Sequence, residues 1–369
     1  MQKKQSFGHP AQKAFMELVR CGISGATPDE SLFRPLSAED WNSIYAMARR
    51  QTVCGICYDA YCRLPDSLLP PGSLLPRWVA RVDAIETSGR AMSEAVAALV
   101  AMLRRKGLHP VVQKGLSVAR FYPTPDLREC GDIDLWLPRN EMKQAIMLAR
   151  TIDPDIHSHP DGSRSFIFRG FVVELHRRLI NISRPLTARN LEQFAKRRSD
   201  SSIGNTTDAI PSPTPLLELL LINVHIMHHV FGTGIGLRHL CDYMCAAYAL
   251  KGQYNPAEFE EACAILGISR WTALLNNFLI EYLHADAEML PPARPRKGTT
   301  IAPATLMNII DEGGNFGHHP LGADTAAGPA ARGKFHTLSM FLKRSRFAAS
   351  AAPAEAFWHF VRLLIGQIH

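Results

Sequence analysis

The seven residues Gly131-Asp-Ile-Asp-Leu-Trp-Leu137 constrain the fold more than any other part of the chain. Their alternation predicts a strand over Asp132–Leu137, and in a strand alternate side chains share a face. Asp132 and Asp134 then point one way, while Ile133, Leu135 and Leu137 point the other and are free to pack on helices. Two carboxylates about 4 Å apart repel by roughly 4 kcal/mol at an effective dielectric near 20. A core strand tolerates that only with a proton or a cation between them. Hard oxygen ligands with open positions suit Mg²⁺, which keeps waters and takes substrate phosphates as its other ligands. Two solvated aspartates at a strand end would give the same pattern, and Asp-x-Asp alone is common.

A second strand narrows the choice. Phe166–Phe168 and Phe171–His176 flank Arg169-Gly170, the pattern of a tight hairpin. In Phe171–His176, Glu174 shares a face with Val172 and His176, a carboxylate set in an otherwise apolar strand. Lys114-Gly115 follows a short apolar strand over His109–Gln113, and a helix over Leu116–Tyr122 opens there with Ser117 in its first turn. Glycine lets the backbone approach a phosphate, and a helix N-terminus favours negative charge. Lys114 is a candidate phosphate contact, against the plainer reading of a solvated lysine at a strand end.

Around this core the pattern is helical. Residues from Ala11 to Arg63 are expected to be helical, with Ser37 and Asp40 as a helix start. Leu64–Pro76, with four prolines and a glycine, is a loop. A long helix should run from Arg77 to Lys106 and stop at Gly107. Asn140 is placed to cap a helix running to Arg150. Beyond Thr187 helices are predicted from Pro215, capped by Thr214, and over Leu237–Leu250, Pro256–Leu266, Trp271–Leu283, Phe335–Phe347 and Ala354–Ile368. Residues 291–300 and 312–334 are expected to be loops, and there is no internal repeat. The expected division is a helical region over 1–76, an α/β core with its leading helix over 77–182, and a helical domain over 183–369.

Composition excludes several classes. At 46% hydrophobic and 20% charged residues, the chain can build a sizeable core and is not a disordered one. Eight cysteines in 369 residues are too few for a disulfide-stapled secreted domain. Cys54, Cys57 and Cys62 lack a second pair at zinc-ribbon spacing and fit buried free thiols. The start has lysines but no apolar stretch of a signal peptide, and the longest apolar runs are too short to span a bilayer, so a cytoplasmic protein without membrane insertion is expected. A formal net charge of +7 fits an anionic ligand and equally fits an ordinary basic protein.

The succession Lys114-Gly115, helix, Asp132-x-Asp134, helix, Glu174-x-His176 resembles the nucleotidyltransferase superfamily. It is more closely similar to the bacterial group of uncharacterised nucleotidyltransferases. That group's pattern is met by Lys114-Gly115, Tyr122-Pro123 with Arg128, Gly131–Leu135, Val173–His176, His225 with His229, Arg238 with Asp242, and Gly314–Gly317. The likeness covers Gly107 to Gly317 and leaves the N-terminal helices unexplained. One departure is Gly115-Leu116, where the superfamily usually has Gly-Gly or Gly-Ser. The resemblance implies an α/β (α+β) nucleotidyltransferase core with a small mixed sheet, flanked by N- and C-terminal helical regions. It also implies Mg²⁺ (or Mn²⁺) held by Asp132, Asp134 and Glu174 as catalytic carboxylates. Lys114, Gly115, Ser117 and Arg128 would bind the NTP, and pyrophosphate would leave on transfer of a nucleoside monophosphate. His176, His225, His229, Arg238 and Asp242 would lie on the side of the acceptor, whether a small molecule, a protein or an RNA end.

His225, His228 and His229 crowd one helix face. Ile226 stands where a zinc protease needs glutamate, so that chemistry is excluded. Substrate contacts, a transition-metal site and plain hydrogen-bonded core histidines remain open. Arg238 and Asp242, one turn apart, fit a simple ion pair as well. The glycines at 232, 234 and 236 follow no strand, and no phosphate-binding Walker loop occurs. Two other functions fit the same residues: a degenerate core that binds a nucleotide or partner without turnover, and a metal-dependent glycosyltransferase. The latter needs an α/β nucleotide-binding half before Asp132, where the chain reads as helices.

Overall fold

A computed structural model describes residues 9–159, 161–185, 187, 209–232, 234–294, 301–313 and 331–365, without side chains for 313 and 331–338. The N-terminal stretch breaks into three helices, α1 (Pro10–Ser24), α2 (Ala38–Arg50) and α3 (Cys54–Tyr61). The expected start of α2 is a reciprocal capping box, in which the Ser37 hydroxyl accepts from the Asp40 amide and the Asp40 carboxylate accepts from the Ser37 amide. Helix α1 lies on α3 so closely that a Cβ at Gly22 would sit 2.2 Å from the Ile56 carbonyl oxygen. Cys54 and Cys57 are buried free thiols and Cys62 is exposed.

Helix α4 (Leu75–Arg105) crosses from the helical part to the sheet. Then follow β1 (Val111–Gln113), α5 (Gly115–Ala119), β2 (Ile133–Trp136), α6 (Met142–Ile152), β3 (His157–Ser158), β4 (Arg164–Phe168) and β5 (Phe171–His176). The strands form one mixed sheet in the order β1-β2-β5-β4-β3, with β2 and β5 parallel and the other neighbours antiparallel. Arg169 and Gly170 both have positive φ, 51° and 85°, as a two-residue hairpin turn requires. Strand β3 was not foreseen; two residues are too short to show alternation. Asn140 does not cap α6, whose preceding residue is Glu141 and which has no side-chain cap. Glu141 is turned instead to His109, accepting its backbone N–H at 2.7 Å.

The C-terminal half is helical: α7 (Pro215–Phe231), α8 (Leu237–Ala249), α9 (Pro256–Leu266), α10 (Ser269–Leu283), α11 (Pro303–Gly313), α12 (Ala331–Ala351) and α13 (Pro353–Leu364). Thr214 precedes α7, but its side chain makes no capping bond. The Gly314–Gly317 motif lies outside the described residues.

Two apolar cores result. One joins α1–α3 and the start of α4 to α7–α13. The other lies between the sheet and the second half of α4 with α6, where Ile133, Leu135, Val173 and Leu175 are buried. One sheet face is thereby consumed by packing, and the opposite face, bearing Gln113, Asp134 and Glu174 in one row, is left for chemistry.

Candidate active site

Parallel pairing of β2 with β5 sets Asp134 beside Glu174 and Trp136 beside His176. The His176 Nε2 lies 2.5 Å from Asp134 Oδ1 and 3.4 Å from Glu174 Oε2. Lys114 follows β1 in a left-handed conformation, φ 50° and ψ −138°, sparsely populated for a residue with a side chain. From there its Nζ donates to Asp134 Oδ1 at 2.8 Å. Asp134 is 4% exposed. Burial alone would raise its carboxyl, yet Lys114 and His176 outweigh it and hold the group well below the usual carboxylate range. Against the pull of burial, Asp134 keeps the Lys114 ammonium above its ordinary value.

One ligand atom from each of Asp134, Glu174 and His176 lies within 4.8 Å of the others, a donor set that fits a divalent cation. Asp132 stands outside this closest set, which holds His176 in the place expected for it. The reason is local: Asp132 precedes the paired residues of β2, so strand alternation does not govern its side chain. It still feels the site. The Asp134 charge, then burial, pushes its carboxyl up to about 6. Carboxylates crowded to that degree favour a proton or a cation in their midst.

Helix α7 faces these carboxylates. A cavity of about 230 Å³ is lined by Lys114, Gly115, Asp132, Asp134 and Glu174 on the sheet side and by His225, His229, Arg238 and His239 on the helical side. The His225 and His229 rings meet edge to face, with centroids 4.4 Å apart. Burial pushes both imidazoles down, His229 to about 3, so they stand as neutral groups in the wall. Among the described residues the α7 histidines belong to no group with metal-ligand spacing. A Cβ at Gly115 would meet Arg128 Nη1 and the Asp132 carbonyl at 3.6 Å, so a side chain there would project into this cavity.

Arg128, Arg238 and Asp242 also line it. Arg238 and Asp242 do not pair with each other as their spacing allowed. Asp242 accepts two bonds from Arg128, at 3.0 and 2.6 Å, and a third from the Tyr122 hydroxyl at 2.7 Å, while Arg238 donates to the Glu129 carbonyl. Ser117 is turned from the cleft: its buried hydroxyl donates to Glu218 Oε2 on α7 at 2.7 Å. Five-residue α5 turns Ser117 inward, a direction that the helix start alone does not reveal.

A second cavity, about 380 Å³, shares Lys114, Glu174, His225 and His229 with the first and extends past His176 to α13. Its residues His159, Arg178, His359 and Arg362 had drawn no notice in sequence. Glu355, His359 and Arg362 do recur at helical spacing, and that polar stripe in an otherwise apolar helix was the available signal.

No curated protein and no solved structure matches the chain. The family model described as uncharacterised nucleotidyltransferase matches residues 37–280, more than half of the chain, and spans every carboxylate of the cleft together with its histidine wall. The chain therefore belongs to the uncharacterised nucleotidyltransferase family.

Proposed function

We propose that the protein moves a nucleoside monophosphate from an NTP to an acceptor hydroxyl and releases pyrophosphate, with Mg²⁺ or Mn²⁺ as cofactor. The observation that carries this reading is the row of buried Asp134 and half-buried Glu174, joined by His176 and Lys114, opening on a cavity under a helical wall. Asp134, Glu174 and His176 would hold the cation, with Asp132 beside them, and when bound it would neutralise charge on the phosphates. Lys114, freed from Asp134, and Arg238 supply positive charge to the triphosphate, and Gly115 leaves room for it. Arg128 acts through Asp242, which it holds in the wall. The acceptor oxygen forms a bond to the α-phosphorus as the bond from that phosphorus to the bridging oxygen breaks. Pyrophosphate departs with the electron pair, and Glu174 takes the hydroxyl proton and passes it to solvent. His225 and His229 orient the acceptor from the opposite wall.

A second reading, a nucleotide- or partner-binding protein without turnover, draws on the saturation of Asp134 by Lys114 and His176 and on Leu116 in the glycine motif. The glycosyltransferase reading loses ground, because α1–α4 occupy the chain before β1. Incubation with each labelled NTP, Mg²⁺ or Mn²⁺ and a metabolite pool separates the first two. The transferase reading expects a labelled adduct and stoichiometric pyrophosphate, both lost in Asp134→Asn. Tight, metal-dependent NTP binding with no adduct from any pool gives the second reading the site.

A further inference from the structure

Arg362 projects from α13 into the larger cavity with its residue only 8% exposed. Among the described residues its guanidinium makes no ion pair; its one hydrogen bond goes to the neutral Asn181 amide oxygen, at 3.3 Å. Burial and a second guanidinium, Arg178 on the exposed rim of the same cavity, push Arg362 below its usual value, outweighing the opposite pull of Glu355 and Asp161. The nearby carboxylates have other partners. Glu355 accepts from the Ser183 amide and lies 2.8 Å from His228 Nε2, and Asp161 accepts from the Ser163 amide and hydroxyl. A buried charge without a counter-ion is costly, and two like charges facing one cavity add to that cost. Next to Arg362 on α13, His359 is 3% exposed, and both of its ring nitrogens are buried without a hydrogen-bond partner among the described residues. Asp161 and Glu174 line the same cavity, but neither pairs with Arg362, so a buried guanidinium and an unsatisfied imidazole are left there to meet an anionic ligand.

We infer that this cavity holds the acceptor, and that the acceptor is a small hydroxyl compound carrying a phosphate or carboxylate bound by Arg362 and Arg178. The inference rests on the transferase reading for the word acceptor, though not for the anion. The nucleotide phosphates belong to the other cavity, where Gly115, Asp132 and Arg238 lie. The two cavities meet at Lys114 and Glu174, the place where a hydroxyl anchored from the α13 side would reach the α-phosphorus. A volume of about 380 Å³ suits a small molecule rather than a folded partner. Guanidinium groups recognise phosphate and carboxylate by paired hydrogen bonds, which an ammonium does not reproduce.

Calorimetric titration of the full chain with glycerol 3-phosphate, glycerate and glycerol tests the anion site, with Mg·ATP titrated in parallel. At least one of the two anions is expected to bind, and which one does separates a phosphate acceptor from a carboxylate one; glycerol is expected not to bind. Arg362→Met should weaken the anion at least tenfold and Arg178→Ala, at an exposed position, severalfold, while Mg·ATP affinity stays unchanged in both. Arg362→Lys retains the charge and the fold and should recover only part of the binding. The proposal is overturned if neither anion binds the wild type, if both variants bind as the wild type does, or if the loss follows Arg238→Met instead. A parallel fall in Mg·ATP affinity in the Arg362 and Arg178 variants also overturns it, since those arginines would then serve the nucleotide. Anion binding through Arg362 in a protein that never binds Mg·ATP sinks the transferase reading and leaves the anion site standing.

Discussion

Arg128 and Arg362 are equally buried, at 4% and 8% exposure, but they live in opposite electrostatic surroundings. The charge of Arg128 itself is answered. Asp242 takes two of its N–H groups, the Tyr122 hydroxyl completes the carboxylate, and the pairing raises the guanidinium far above its usual value despite burial. Arg362 forms no ion pair among the described residues; burial and Arg178 lower its value more than Glu355 and Asp161 raise it. The first region is closed on itself and ties the loop before β2 to α8. The second is incomplete within the described chain. A buried charge that the fold itself neutralises is architecture, whereas one that it leaves unanswered marks a ligand.

The comparison can be broken most decisively at the closed end. Arg128→Met should strand Asp242 in the core and cost about 3–5 kcal/mol of unfolding free energy, measured by denaturant titration. A loss below about 1 kcal/mol would mean that the Arg128 region is not the closed structural unit described.

Glu218 tests the same contrast with an acid. It is fully buried, and burial pushes its carboxyl up to about 7 in spite of the hydrogen bond from Ser117. Its folded value lies above the ordinary 4.5, so the folded state binds the proton more tightly than the unfolded one. The stability it confers is full below about pH 4.5 and is lost as the pH rises through about 7. Unfolding free energy should therefore drop by up to about 3 kcal/mol across that window, and Glu218→Gln should flatten the dependence. An unchanged profile in Glu218→Gln would place the titration elsewhere.

A smaller effect is expected from the histidine wall. Replacing His225 and His229 together by alanine should lower turnover about tenfold while leaving Mg·NTP affinity within about twofold, because they serve the acceptor side. Equal losses in both would move the pair to the nucleotide. The smallest change sharpens the open end: Arg362→Met should alter unfolding free energy by less than about 1 kcal/mol or raise it, since no partner is stranded. A loss as large as that of Arg128→Met would show that Arg362 already has a structural counter-ion.

Much of this site was legible in local pattern. Alternation in Ile133–Trp136 and Phe171–His176 correctly divides the apolar face from the polar one, and the turn at Arg169-Gly170 follows from the residues themselves. The capping box at Ser37 is equally local. Less legible were the limits of that alternation. Asp132 lies just outside the paired strand, and His176, first assigned to the acceptor, stands nearest Asp134 because parallel pairing brings β5 alongside β2. Ser117, expected at the nucleotide, places its hydroxyl on Glu218 of α7, a contact 101 positions away that local pattern does not reveal.

Sequence alone determined which residues can share a strand face, where α2 starts, and that carboxylates would be set in apolar strands, because these depend on periods of two and 3.6 residues and on groups a few positions apart. Tertiary structure alone decided which charges are answered. Arg128 and Asp242 are 114 positions apart, and Glu355 meets the Ser183 amide across 172. Coulomb energy depends on distance in space and on burial, not on separation along the chain. Only the fold could leave Arg362 without an ion pair among the described residues, and that is what marks a C-terminal helix as one wall of the proposed acceptor site.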